Sequence, residues 1–566
     1  MSALRSVVVG TLKRLNLVEP VLAARDRAGH ALDPVRRALA QRAYGPALAR
    51  DGDLLLVRDA GAWEVARRDD HLVVRDVMAD NLDLVVSALE GRAIPCVVVP
   101  STTPNRHRVI VPAAHRTAAL EALARVGDPA LHLYLDSAGV PPRRRRVALG
   151  TRLSARTRAR ALRQPLWRVS AGRSDAEGRA VLGHLHGCEV EFWSESETAR
   201  RGTRALVGER WNKKVAELPP DVTATGTVQI RDRAYPTLAE LDGAPHFDDV
   251  TFPVDVVYTW VDGSDPAWLE RKNAVLRDLN LEQVHADAHD ASRYRSRDEL
   301  KYSLRSIAMF ADFVRHVYIV TDDQVPPWLN TDNPRVTVVS HKALFGGKGR
   351  LPTFNSHAIE ACLHHIDGLS EHYLYLNDDF LFCRRVRPEA FFLSNGLAKF
   401  FPSTALIALD DARTSGVRSV DVAAKNSRAL VRRHFDRITQ QKMKHAPYPQ
   451  RRSVLYDAEE TFPEEFERTM SSQVRSPSDL PVASAFSHYY GYLTGRAVPG
   501  DVAARYVELS APDFDRRLRD LLEKRTADTL CINDAARKDT PDVAGREQRL
   551  QRFLDTYWPV KSEFEW

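Results

Sequence analysis

VDVVYTWVDGSDP (254–266) is a run of β-branched and aromatic residues, broken only by Asp255, that stops in turn chemistry. A strand covered by helices on both faces reads this way, because neither side of its pleat meets water. Asp265-Pro266 then offers a helix start, with a carboxylate to cap the first amides and a proline already fixed near helical φ. The same alternation continues downstream. RDELKYSLRSIAMF (297–310) sets Leu300, Leu304 and Ile307 on one helical face together with the following Ala311. HVYIVTD (316–322) and RVTVVSH (335–341) read as strands, NSHAIEACLHHI (355–366) as a helix, and HYLYLNDDFLF (372–382) as a further strand. Strands alternating with helices predict an α/β domain with a mainly parallel, Rossmann-like sheet. Residues 400–566, as in RALVRRHFDRI (428–438), are mainly helical by pattern and extend this domain.

Upstream, Pro and Asp loosen the pattern across 218–253, and a domain boundary is expected near 245. Within 1–135, CVVV (96–99) and LHLYLD (131–136) alternate with AALEALARV (118–126), which predicts a second, smaller α/β domain. GCEVEFW (187–193) and GTVQIRD (226–232) read as strands. From Arg143 to Arg173 the chain is crowded with arginine, and no acid occurs between Asp136 and Asp175. Such a run is either a surface for phosphate-bearing polymers or lipid headgroups, or a solvated basic linker with a helix inside it.

Among 566 residues, 81 basic groups face 75 acidic ones, a net charge of +6 that excludes a protein built wholly around nucleic acid. The five cysteines are irregularly spaced and include no C-x-x-C pair, so neither a disulfide framework nor a zinc site is indicated. No apolar run reaches the roughly 20 residues that span a bilayer. At the N-terminus, Leu4, Val8, Leu12 and Leu15 fall on one helical side, which either packs on its own domain or rests on an anionic membrane surface. The expected location is the cytoplasm, with peripheral contact at the cytoplasmic face of the membrane left open.

In open parallel sheets, ligands bind at the carboxyl ends of the strands. Here those ends carry Trp260-Val261-Asp262-Gly263-Ser264-Asp265, Thr321-Asp322-Asp323 and Asn377-Asp378-Asp379. One such cluster alone is a turn with helix caps, but three from neighbouring strands point to a shared acidic site. A bare carboxylate cluster would repel a nucleotide diphosphate, and a hard divalent cation between them reverses that sign. The expected cofactor is therefore Mg2+ or Mn2+, in the manner of sugar-nucleotide enzymes of the GT-A type.

DVVYTWVDGSDPAW (255–268), RDELKYSLRSI (297–307), YIVTDDQVPPWLN (318–330) and LPTFNSHAIE with GLSEHYLYLNDD (351–379) resemble the first two conserved blocks of the Stealth family. KMKHAPYPQRR (442–452) through FPEEFERTMSSQVRSPSD (462–479) resembles the third, and CINDA (531–535) the fourth. The family includes bacterial capsule hexose-1-phosphate transferases and the catalytic subunit of the lysosomal-enzyme N-acetylglucosamine phosphotransferase. The resemblance implies transfer of a sugar together with its phosphate from a nucleotide sugar, usually UDP-linked, to a glycan hydroxyl, with release of UMP. It also carries the family's catalytic positions onto Glu360, Asp379, His445 and Arg475.

For these residues ordinary chemistry supplies roles. His445 titrates in the range a general base needs, with Asp379 the competing candidate. Arg475 suits phosphoryl oxygens, and Glu360 orients His445 or Arg475 or contacts the sugar. Asp378 and Asp379 are the expected metal ligands, completed by Asn533 and Asp534. Trp260, Asp262, Arg297 and Asn377 are expected on the donor side. Two other readings stay open: a GT-A glycosyltransferase that releases UDP, and a non-enzymatic polyanion- or membrane-binding protein acting through the arginine-rich stretch.

Overall fold

The computed structural model describes residues 33–566 except 60, 102, 104, 136–145, 150–152, 198–202, 213, 242–244, 280–293, 411–416 and 534–541. The amphipathic N-terminal segment and Asp534 thus lie outside the described residues. The chain divides into two compact units at residues 242/243.

The first unit is built on a seven-stranded sheet in which Leu131–Leu135, Leu166–Ala171 and Cys188–Glu197 are central. Its pairings are antiparallel except that of Cys188–Glu197 with Arg108–Pro112. A βαβ-like alternation in sequence has therefore produced an α+β unit. Its core gathers Leu82, Val86, Val109, Leu133, Trp167 and Phe192. The arginine-rich stretch is not a linker: it supplies the strand Arg146–Ala148, the helix Ala155–Leu162 and the central strand Leu166–Ala171. Its charge is offset by acids from elsewhere in the unit, with Arg146 on Glu64, Arg158 on Glu121, Arg168 on Glu189 and Arg173 on Asp80.

The second unit opens with β1 (Val254–Thr259), α1 (Pro266–Asp278), α2 (Glu299–Phe310), β2 (Val314–Thr321), β3 (Val336–Ser340), α3 (His341–Phe345) and α4 (Ser356–Glu360). Then come β4 (His372–Asn377), β5 (Phe380–Phe382), α5 (Ser419–Phe435), β6 (Tyr448–Arg451), α6 (Arg452–Thr461) and α7 (Pro463–Met470). It closes with β7 (Ala504–Glu508), α8 (Phe514–Lys524), β8 (Thr529–Asn533) and α9 (Val543–Tyr557). The main sheet has the order β3-β2-β1-β4-β6, all parallel except the edge strand β6. Asp265 caps α1 by accepting from the Ala267 amide, and Pro266 is the first helical residue. The glycine of the turn is required: a Cβ on Gly263 would lie 2.3 Å from the Tyr294 carbonyl, to which its amide donates at 2.7 Å.

Three expectations need correction. The run 372–382 is two strands, because Asp378-Asp379 has turn chemistry rather than strand propensity. There the chain leaves the main sheet for a second one, ordered β5-β8-β7. The edge of β5 away from β8 is covered by α2: Ser303 donates to the Phe380 carbonyl and Ser306 accepts from the Phe382 amide. The expected helix 355–366 stops after Glu360 and resumes as a 3-10 turn at Leu363–His365, with Cys362 at φ −109° between them. Finally, 400–566 interleaves helices with short strands, and the CIN of CINDA lies within β8.

Asp255 is the buried acid of β1. It is 0% exposed, accepts from Arg315 Nε and Nη2 at 2.8 and 2.5 Å, and accepts from the Ser370 amide at 2.7 Å. Removing it leaves the Ser370 amide without its acceptor and the half-exposed Arg315 without its ion pair. Asp255→Ala is expected to cost about 2 kcal/mol, read as a lowered denaturant midpoint with an unchanged slope.

Candidate active site

Parallel registry places the carboxyl ends of β1, β2 and β4 side by side. Thr259 pairs with Val320 on one flank and Asn377 on the other. The three polar termini therefore converge, but they do not form one carboxylate cluster. Asp322 is bound to Arg271 at 2.7 Å. Asp262 uses Oδ1 to accept from the amide and hydroxyl of Ser264. Gln324 ties this turn together, donating to the Asp262 carbonyl and to Asp265 while accepting from the Asp262 amide. Trp260 is half-buried, its amide bonded to Val320. Asn377 accepts from the Tyr375 hydroxyl at 3.1 Å. A cavity of about 470 Å³ opens beside β2 and β3, lined by Thr321, Asp323, Gln324, Ser340, His365 and Asp367 among others. Gln324 joins it to the β1 turn, but none of Glu360, Asp379, His445 and Arg475 lines it.

The dense charge lies one strand over. Asp378 and Asp379 end β4, and Glu299, the first residue of α2, acts on both. Burial, with Glu299 and Asp379, pushes the Asp378 carboxyl well above its usual range. Burial chiefly, with Glu299, pushes Asp379 up to about 7 despite its hydrogen bond from the Cys531 thiol at 3.3 Å. The other oxygen of Asp379, Oδ1, is buried and has no hydrogen-bond partner among the described residues. Three crowded acids and an orphaned carboxylate oxygen are what a hard cation would neutralise and ligate, so these residues fit Mg2+ or Mn2+. The β5–β8 ladder pairs Phe380 with Cys531, and its continuation sets Asn533 across from Asp378. Arg297 bridges two acids, donating to Glu547 at 2.9 Å and lying 3.7 Å from Glu299, to which its amide also donates.

His445 lies beside Phe380, the residue that follows Asp379. Its ring is exposed and packs against Tyr506 at 4.9 Å and, edge-on, against Phe380 at 6.5 Å. Its surroundings, with the cations Lys442 and Arg418, hold the imidazole pKa below its ordinary value. Among the described residues no protein group hydrogen-bonds to it, so a neutral ring is left free for a substrate hydroxyl. Glu360 is buried on α4 and accepts from the amide and hydroxyl of Ser484 at 3.0 and 2.8 Å. The charges of Glu360 and Asp379 both bear on the buried hydroxyl of Tyr448, so both carboxylates lie near that phenol. Arg475 donates to Ser419 at 2.8 Å and Ser356 at 3.2 Å, the first residues of α5 and α4. It thus reaches Glu360 through α4, without direct contact to Asp379 or His445.

Sequence reasoning missed Glu299, Cys531, Tyr448, Tyr506, Lys442 and Arg418. Glu299 and Cys531 lie inside stretches already singled out, RDEL and CINDA, but only the α2–β5 and β5–β8 packing reveals what they face.

Four conserved regions of Stealth proteins match the chain in order: region 1 at 252–280, region 2 at 293–400, region 3 at 444–492 and region 4 at 519–566. An exopolysaccharide phosphotransferase of Streptomyces coelicolor is 39% identical across 100% of this chain and 93% of its own length. The exopolysaccharide phosphotransferase CpsY of Mycobacterium tuberculosis is 35% identical across 89% of this chain and 91% of its own. A solved structure of the galactosyltransferase LgtC with donor and acceptor sugar analogs aligns with 54% of this chain and 96% of that one. Its identity is 10% and its TM-score 0.27, too low to bear on the chemistry. No helix among the described residues is long and apolar enough to cross a membrane.

The crowded acids yield a sign-specific expectation. In chelator-treated protein above pH 7, Asp379→Asn removes a carboxylate whose ionisation is opposed by burial and by Glu299, and should raise the thermal midpoint. Added Mn2+ should raise the midpoint of the wild type and leave that of the variant nearly unchanged, as differential scanning fluorimetry reads directly.

Proposed function

The chain belongs to the Stealth family of transferases, and on that premise we propose that it moves a hexose-1-phosphate from a UDP-linked sugar to a hydroxyl of an exopolysaccharide or wall glycan. The observation that carries this reading is an imidazole with no hydrogen-bond partner among the described residues, packed on Phe380, which directly follows the carboxylates Asp378 and Asp379. We assign the chemistry to residues 246–566 and an accessory role to 1–245.

In the proposed reaction the acceptor oxygen attacks the phosphorus that bears the sugar. The bond from that phosphorus to the bridging oxygen breaks, and UMP leaves. His445 takes the acceptor proton on a ring nitrogen; its depressed pKa keeps the ring unprotonated near neutral pH. A divalent cation held by Asp378 and Asp379, with Asn533 and Asp534 as further ligands, would offset the charge of the diphosphate and of the departing UMP. Arg475 stands at the N-terminus of α5, where helix dipole and guanidinium are both positive, a setting suited to the phosphoryl oxygens. Glu360 fixes the wall between them by accepting from Ser484. Trp260, Asp262 and Asn377 line the route by which the nucleotide enters from β1, and Arg297 anchors Glu299.

The deciding assay incubates the protein with Mn2+ or Mg2+, a panel of UDP-sugars and a cell-envelope glycan, and identifies the nucleotide released. UMP release, reduced roughly 10²–10⁴-fold in His445→Ala, is expected; UDP release would instead make the enzyme a glycosyltransferase. The acid limb of kcat/KM is expected below pH 6.5, since the folded pKa of His445 is depressed. Lys442→Met, which removes one of the cations opposing protonation, should move that limb upward, read from initial rates between pH 5 and 8.

A further inference from the structure

A second site of different chemistry follows α4 in the chain. The 3-10 turn Leu363–His365 and α6 bring two imidazoles onto one carboxylate. His364 Nε2 and His365 Nε2 each lie 2.8 Å from the same oxygen, Oε2 of Glu459. The two rings are 4.1 Å apart, and all three ligand atoms lie within 4.8 Å of one another. The set is built rather than incidental: His364 is 0% exposed, with Tyr456 packed edge-on at 4.7 Å and Phe466 beyond it. His365 and Glu459 are also mostly covered, at 13% and 14%.

Two explanations compete. In the first, Glu459 is an ion-pair hub, since Lys348 also reaches its other oxygen at 2.6 Å and approaches His365 Nε2 at 3.3 Å. In the second, the three groups are metal ligands and Lys348 occupies the ion's place. Several features favour the second. Lys348 is 48% exposed and lies in Gly346-Gly347-Lys348-Gly349, a loop whose three glycines all have positive φ, so its ammonium can swing into water. A tetrahedral ion with bonds of about 2.0–2.1 Å holds its ligands roughly 3.3 Å apart, which asks each imidazole to retreat from Glu459 by only about 0.5 Å. His365 also lines the 470 Å³ cavity, which gives a fourth, exchangeable ligand a path from solvent.

We propose that His364, His365 and Glu459 form a transition-metal site for a zinc-class cation, with Lys348 as its built-in competitor. The nitrogen-rich set selects Zn2+, Co2+ or Ni2+ over the Mg2+ or Mn2+ suited to the oxygen cluster of Asp378 and Asp379. An ion here would staple the turn that follows Glu360 to α6, and so hold α4 from its far end as Arg475 holds it from its near end.

Cobalt makes the test, because nitrogen-ligated, low-coordinate Co2+ absorbs far more strongly in the visible than oxygen-ligated octahedral Co2+. Chelator-stripped full-length protein titrated with Co2+ should develop such bands at one equivalent and lose them when Zn2+ is added, but not with millimolar Mg2+. The bands should persist in Asp379→Asn and vanish in His365→Ala and Glu459→Gln, each checked for native circular dichroism. Lys348→Met should bind Co2+ about tenfold more tightly than the wild type. Absence of bands in both the wild type and Lys348→Met would overturn the proposal in favour of the ion-pair hub. Bands that survive His365→Ala would place the metal elsewhere and overturn it equally.

Discussion

Repulsion among Glu299, Asp378 and Asp379 is the constraint around which the catalytic unit is arranged. Buried like charges cannot all ionise without a counterion, yet the fold spends three elements on bringing them together. β4 delivers the two aspartates at its carboxyl end, α2 presents Glu299 at its first residue, and β8 covers them with the Cys531 thiol. Arg297 stands beside Glu299, while Lys442 and Arg418 are directed at His445 and Asp421. Oδ1 of Asp379 is left without a hydrogen-bond partner among the described residues, an acceptor open to something that arrives from solution.

The same turn that creates this charge also separates the two sheets. At Asp378-Asp379 the chain stops donating to the parallel sheet and begins pairing with β8. Ser303 and Ser306 of α2 meet the backbone groups of β5 that no strand satisfies. The backbone is therefore fully bonded on both sides of a position whose side chains are not. That is how a site keeps reactive groups unsatisfied without destabilising its frame.

The strands of the main sheet were legible because a buried parallel strand needs apolar residues on both faces, and VDVVYTWV, HVYIVTD and RVTVVSH carry them. The sites at their ends were legible because ligands of open sheets bind there. Other features depend on pairings far apart in sequence. Nothing local tells that NDDF reverses into a second sheet, since its partner strand lies some 150 residues on, or that HAIEACLHHI breaks so that two histidines can face Glu459. The arginine-rich stretch misled for the same reason. Its charge looks unbalanced only while Glu64, Asp80, Glu121 and Glu189 are out of view, and in the folded unit those acids stand against Arg146, Arg173, Arg158 and Arg168.

Arg475 shows how the phosphoryl and carboxylate halves of the site depend on each other. Its guanidinium donates to two serine hydroxyls, which are neutral acceptors. A carboxylate in their place would pair with it and weaken its pull on a phosphate. The serines also open α4 and α5, so the guanidinium, the dipole of α5 and the carboxylate of Glu360 move as one frame. On the proposed reading, a phosphoryl group would meet the guanidinium at one end of that frame and a divalent cation would meet the carboxylates that follow β4. A metal-bound diphosphate would then engage both ends at once, where a bare sugar or a bare cation would engage one at most.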